Sequence, residues 1–188
     1  MESLRTFIAI HLTPEIQDIL KKIQLDLKKT GADVKWVQPH NIHLTLKFLG
    51  DVSLDKIDEL KKVIQKSIEG TKAFEFQITS IGAFPKVEAP RVVWVGVNQG
   101  KSQIKTLADS LEKSLETIGF AKEDRDFEAH ITLGRVRSSL NRFALSKAIE
   151  QYPMPALPSQ KAESIVLFKS TLTPQGPIYE SLQEFHFQ

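Results

Sequence analysis

The chain has 188 residues, 41% hydrophobic and 26% charged, a formal net charge of +2 and no cysteine. Without cysteine there are no disulfides, thiolate metal sites or cysteine nucleophiles. A near-neutral balance argues against sequence-independent coating of nucleic acid and leaves room for a local basic cleft. The length fits one domain or two closely packed lobes with a sizeable core. No stretch approaches the ~18 apolar residues of a membrane span. The N-terminal apolar run is too short for a signal peptide and has no cleavage site. The expectation is a cytoplasmic protein, a monomer with no membrane partner.

In chain order, Thr6 to Leu12 (TFIAIHL) reads as a buried strand. Thr13, Pro14 and Glu15 then supply an N-cap, a first-turn proline and a first-turn acid, so a helix starts there. Ile16, Ile19, Leu20, Ile23 and Leu27 follow at helical spacing, and Gly31 ends the helix. Asp33 to Val37 is a short strand, and a Pro-His-Asn loop leads into a strand from Ile42 to Leu49. Gly50-Asp51 is expected to close that strand, and Ser53 to cap a helix to about Glu69. Phe74 to Pro85 reads as one strand, and Lys86 to Pro90 as a turn. The pattern then restarts. Arg91 to Val97 (RVVWVGV) echoes Arg5 to Ile10 (RTFIAI), and a helix follows with Ile104, Leu107, Leu111, Leu115 and Ile118 inward. A charged loop, Lys122 to Asp126, precedes a second motif strand. A helix over about 141–151, a proline-rich link and two last strands around Thr173 to Pro177 complete the chain.

Each half thus reads strand, helix, strand, helix, strand, which is an internal repeat found by pattern. The expected fold is α+β and bilobal: one domain over 1–188 with an internal duplication, about 1–85 and about 90–188. Two pseudo-symmetric lobes, each an antiparallel sheet with outer helices, would leave a groove between them.

One tetrapeptide occupies equivalent places in the two halves: His43-Leu44-Thr45-Leu46 and His130-Ile131-Thr132-Leu133. A strand alternates its side chains, so His and Thr share one face and the aliphatic pair the other. With five His and eleven Thr, composition alone yields His-x-Thr roughly 0.3 times. A third copy, His11-Leu12-Thr13, is read as a decoy, because Thr13 caps the helix that Pro14 begins. Two histidines do not fill a zinc site, and no carboxylate stands nearby at ligand spacing. No G-x-S-x-G elbow is present for a serine nucleophile. Two imidazoles suit acid–base work on a phosphate ester, with the two Thr hydroxyls donating to non-bridging oxygens. No cofactor and no metal are then required.

The double motif and its flanks resemble the 2H phosphoesterase superfamily. Within it the chain is similar to the RNA 2′,3′-cyclic phosphodiesterases first described as 2′-5′ RNA ligases. The matching stretches are Arg5 to Ile10, Trp36 to Gly50 (WVQPHNIHLTLKFLG), Arg91 to Gly96, His130 to Arg135 (HITLGR) and the Tyr179 region. The resemblance implies metal-independent opening of an RNA 2′,3′-cyclic phosphate end to a 2′-phosphate, with weak reversible 2′-5′ ligation as a companion activity. His43 is assigned as general acid to the 3′-oxygen and His130 as general base for water, although sequence does not order the two. Thr45, Thr132 and Arg135 are assigned to the phosphate, Arg135 because a planar fork suits it better than lysine would. Phe48 and Trp36 are candidates for stacking a terminal base. Phe48 lies an odd number of residues from His43, which on an ideal strand puts it on the core face. His40 is read as an exposed or bracing loop residue, His186 as structural or exposed, and Arg5 and Arg91 as edge residues. Two alternatives remain: a non-catalytic module that binds RNA ends or phosphate, and a cyclic phosphodiesterase acting on a small nucleotide.

Overall fold

The computed structural model describes residues 2–188. The strands are β1 (Ser3–His11), β2 (Val34–Trp36), β3 (His43–Ser53), β4 (Phe74–Phe76), β5 (Ile78–Phe84), β6 (Val92–Val97), β7 (His130–Val136), β8 (Gln160–Ala162), β9 (Ser164–Thr173) and β10 (Gly176–His186). The helices are α1 (Pro14–Lys28), α2 (Ile57–Ser67), α3 (Lys101–Glu116) and α4 (Arg142–Glu150). Two four-stranded antiparallel sheets form, in the orders β10-β9-β1-β3 and β2-β7-β6-β5, with a two-stranded β4-β8 ribbon beside them.

The start of α1 follows its sequence signals. The Thr13 hydroxyl accepts the Ile16 N–H at 3.5 Å, Pro14 opens the first turn, and Ile16, Leu20, Ile23 and Leu27 are buried on one stripe. The sheets bury their inner faces likewise. Ile8, Ile10 and Leu44 of the first sheet and Val93, Val95 and Ile131 of the second are fully covered, all in one hydrophobic cluster.

Several expectations change. Gly50-Asp51 does not end β3, which runs on to Ser53 along Ser3 to Thr6. Gly50 has φ +72° and sits where the register slips between Thr6 and Phe7. A glycine there adopts the left-handed φ without backbone strain, so the turn signal marks a bulge instead. Ser53 gives no side-chain cap; a 3₁₀ turn, Leu54–Lys56, comes first and α2 starts at Ile57. The strand expected over Phe74 to Pro85 is two, because Gln77 leaves the ladder to exchange backbone hydrogen bonds with Asn98 and Gln99. β4 then pairs with β8 and β5 with β6.

The lobes are also not the two halves of the chain. β1 and β3 pair with the C-terminal β9 and β10, whereas β2 and β5 flank β6 and β7. The helices cross over as well. α3, which follows β6, lies against β3, and α2 lies against α3 and β10. α1, which follows β1, lies against α4, and α4 against β5. Each sheet is therefore completed and covered from both halves.

Candidate active site

His43 is the first residue of β3 and His130 the first of β7. The ring Nδ1 of His43 is 2.7 Å from Asn41 O, and that of His130 is 2.7 Å from Glu128 O. A carbonyl can only accept, so each Nδ1 carries the proton and each Nε2 is left for chemistry. The same bond, to the carbonyl two residues upstream, fixes one tautomer at both sites. Asn41 is itself buried, and its Nδ2 donates to Pro177 O at 2.8 Å, tying the turn before His43 to β10.

The register shows what shares a face with each motif. Ala9 is opposite Thr45, but the next residue of β1, Ile8, is opposite Lys47. Trp94 is opposite Thr132, but Val93 is opposite Gly134. Each motif strand thus carries one extra residue directly after its Thr, Leu46 in β3 and Leu133 in β7. An extra residue reverses the alternation beyond it. The residue five past each His, Phe48 or Arg135, therefore returns to the His face.

On the first sheet, Phe7 stacks on His43 with ring centroids 4.7 Å apart, and Tyr179 meets His43 edge-on at 5.4 Å. Phe168 stacks on Phe7 at 5.2 Å, and Phe48 lies 6.1 Å from Phe7. On the second sheet, the His130 ring meets Phe84 at 5.0 Å and Phe84 meets Trp94 at 5.2 Å. Trp94 lies flat over Gly82, where an added Cβ would come within 2.6 Å of the indole. The two motif strands, β3 and β7, lie against each other, and the charge of Arg135 acts on the Tyr179 hydroxyl. Burial raises the Tyr179 hydroxyl pKa, against the pull of Arg135 and Arg5. Burial also draws His43 down to about 4, opposed by its bond to the Asn41 carbonyl and helped by the charge of His11. A cavity of about 710 Å³ between α3 and residues 122–127 is separate, since the Leu46 side of β3 lines it.

This two-motif arrangement has relatives. A family model described as LigT-like phosphoesterase matches the chain twice, over residues 10–94 and 95–179. The chain belongs to the LigT-like phosphoesterase family. It is 36% identical to the RNA 2′,3′-cyclic phosphodiesterase of Methanothermobacter thermautotrophicus, over 97% of this chain and 98% of that one. It is 35% identical to the Thermotoga maritima protein of the same name, over 98% and 96% of the two chains. Among solved structures, TT0787 of Thermus thermophilus superposes with a TM-score of 0.80 at 25% identity, covering 98% of each chain. Escherichia coli LigT in its apo form gives 0.79 at 25% identity, covering 100% of this chain and 99% of that one.

In this LigT-like phosphoesterase the structure sorts the sequence candidates. His43, Thr45 and Phe48 share one face, and His130, Thr132 and Arg135 the other. Phe48 is 59% exposed, so the core position expected from its odd spacing is corrected, the bulge being the cause. Trp36 is opposite Gly134, on the back of the second sheet and packed against the core. Its expected stacking on a base is thereby corrected: the pairing register turns it away from His130. Thr13 caps α1 as expected, and His40 and His186 are exposed. His11, set aside with its motif, stands directly opposite His43.

Sequence reasoning missed the residues that brace the motif strands. Lys47 is buried, with Nζ 2.8 Å from Glu112 Oε2 and 2.9 Å from Ala121 O. Gln24, buried on α1, donates to Val37 O at 2.8 Å and to Leu133 O at 2.9 Å. Helix α3 thus grips the bulge of β3, and α1 that of β7. A lysine inside an apolar strand and a glutamine on an apolar helix stripe were the available signals.

Proposed function

We propose that the protein hydrolyses the 2′,3′-cyclic phosphate end of RNA to a 2′-phosphate and a free 3′-hydroxyl, without a metal ion. The observation that carries this is the pair of His-x-Thr motifs, each opening a bulged strand and each holding its imidazole in one tautomer through an upstream carbonyl. The full-length likeness to proteins named RNA 2′,3′-cyclic phosphodiesterase supplies the substrate class.

Burial keeps His43 neutral near pH 7. A neutral imidazole suits the base, which reverses the assignment made from sequence. His43 Nε2 takes a proton from water as its oxygen bonds to phosphorus. The bond from phosphorus to the 3′-oxygen breaks, and His130, entering the step as the imidazolium, gives that oxygen the proton on its Nε2 while Nδ1–H stays on Glu128 O. Thr45, Thr132 and Arg135 hold the non-bridging oxygens where negative charge grows. Run backwards with an RNA 5′-hydroxyl in place of water, the same groups would form a 2′-5′ linkage.

The test is incubation in EDTA with a short RNA ending in a 2′,3′-cyclic phosphate. A 2′-phosphate product, absent with His43→Ala and with His130→Ala, is the expected result. An unchanged RNA end would favour a phosphate-binding module. Loss of activity in EDTA that a divalent ion restores would overturn the metal-free step.

A further inference from the structure

Lys35 stands directly opposite Arg135 in the β2–β7 ladder, and both are exposed. The register that puts Arg135 on the face of His130 and Thr132 puts Lys35 there too. Directly opposed cross-strand residues have Cβ atoms ~5 Å apart, and like charges so placed destabilise a sheet. Arg5 brings a third cation, since it lies two residues before Phe7 on β1 and so shares the face on which Phe7 stacks against His43. Arg5 has Asp51 as its cross-strand neighbour. Among the described residues, none of Arg5, Lys35 and Arg135 forms an ion pair within 4.0 Å. Elsewhere on the surface, lysines do find carboxylates, as Lys101 finds Glu128 at 2.9 Å. Facing cations kept without a counter-ion break a local rule, and such breaks concentrate where a ligand supplies the missing charge.

We propose that Lys35, together with Arg5 and Arg135, forms a second phosphate subsite, which takes the phosphodiester joining the last two nucleotides of the RNA. The inference rests on the proposed cyclic phosphodiesterase activity and names what that activity selects: a chain rather than a cyclic mononucleotide. Arg135, with five donors in a planar fork, can face both phosphates. Lys35 meets only the second.

The experiment compares kcat/KM on a nucleoside 2′,3′-cyclic phosphate with that on a dinucleotide ending in the same group. The pair differs by one nucleoside and one phosphodiester. Wild type should prefer the dinucleotide, and the preference should weaken with salt, since a neutralised phosphate releases counter-ions. Lys35→Ala should cut the preference about tenfold, the scale of one charge-assisted hydrogen bond. Lys35→Glu should cut it further, and Lys35→Arg should keep it. A preference unchanged in Lys35→Ala and Lys35→Glu would overturn the subsite, as would a wild-type preference that is absent or insensitive to salt. Turnover of neither substrate would instead sink the cyclic phosphodiesterase activity, and this inference with it.

Discussion

At the scale of single residues, His43 owes its weak hold on a proton to its surroundings. Phe7 covers one face and Tyr179 meets it edge-on, and this burial outweighs the bond from Nδ1–H to Asn41 O, which favours the proton. With its pKa at about 4, roughly one free molecule in a thousand would carry the imidazolium at pH 7, which leaves little acid to protonate a leaving group. As a base the same residue is ready over the whole neutral range. The acid limb of kcat/KM, which reports the free enzyme, should therefore fall near pH 4. A limb between pH 6 and 7 that disappears with His43→Gln would contradict this. The same shift bears on stability. An unfolded chain takes up the proton near pH 6.5, whereas the folded chain does so only near 4. Stability is thus lost as pH falls from 6.5 to about 4, by about 3 kcal/mol at most, and no further below that. Denaturant titrations at pH 7 and pH 4 should show a smaller pH dependence in His43→Gln than in wild type. The threonines act differently, since their donors are proposed to strengthen in the transition state. Thr45→Val and Thr132→Val should each lower kcat about a hundredfold with little effect on the melting temperature. A change confined to KM would mean that they only hold substrate.

At the scale of elements, the two bulges decide which side chains the site contains. Alternation along a strand correctly pairs His with Thr, and the aliphatic partners Leu44 and Ile131 are buried as it requires. Beyond the Thr the rule fails, because a bulge is written in the pairing between strands and not in one strand's pattern. Strict alternation therefore sets a core position for Phe48 against its candidacy for base stacking, whereas its exposed ring shares a face with His43. Trp36 is a stacking candidate in the sequence because nothing local marks which face of so short a strand is buried. The helix boundaries were more legible, since caps and apolar stripes are local signals; Thr13 and the stripe from Ile16 to Leu27 show it. The bulge in β3 is also held from outside by the Lys47–Glu112 pair, whose side chains are 3% and 18% exposed. Lys47→Met leaves Glu112 without its cation and removes the grip on Ala121 O. Breaking such a pair should cost about 3 kcal/mol. Lys47→Met with Glu112→Gln should recover part of this, since no buried charge is then stranded. Additive losses in the double variant would show that the two residues are not coupled.

At the scale of the whole molecule, the repeat that sequence pattern exposed does not fold as two separate pieces. The same family model fits residues 10–94 and 95–179, and from this we infer one ancestral unit used twice. The copies are interlaced. β9 and β10 complete the sheet of β1 and β3, and α1 reaches from the first sheet to hold Leu133 O of the second. Interlacing follows from the hydrophobic effect acting on both copies at once: a single buried cluster contains Ile8 and Leu44 together with Val95 and Ile131. Neither sheet can lose its strands without uncovering the core of the other, so the lobes should unfold together. The chain offers a direct probe. Its two tryptophans, Trp36 and Trp94, are both in the second sheet, so their fluorescence reports on that sheet, whereas far-UV circular dichroism reports on all the strands and helices. In urea the two signals should give the same midpoint and slope, as a two-state transition requires. A second transition visible by circular dichroism and silent in tryptophan fluorescence would mean that the first sheet stands or falls alone, and that the shared core contributes less than its burial implies.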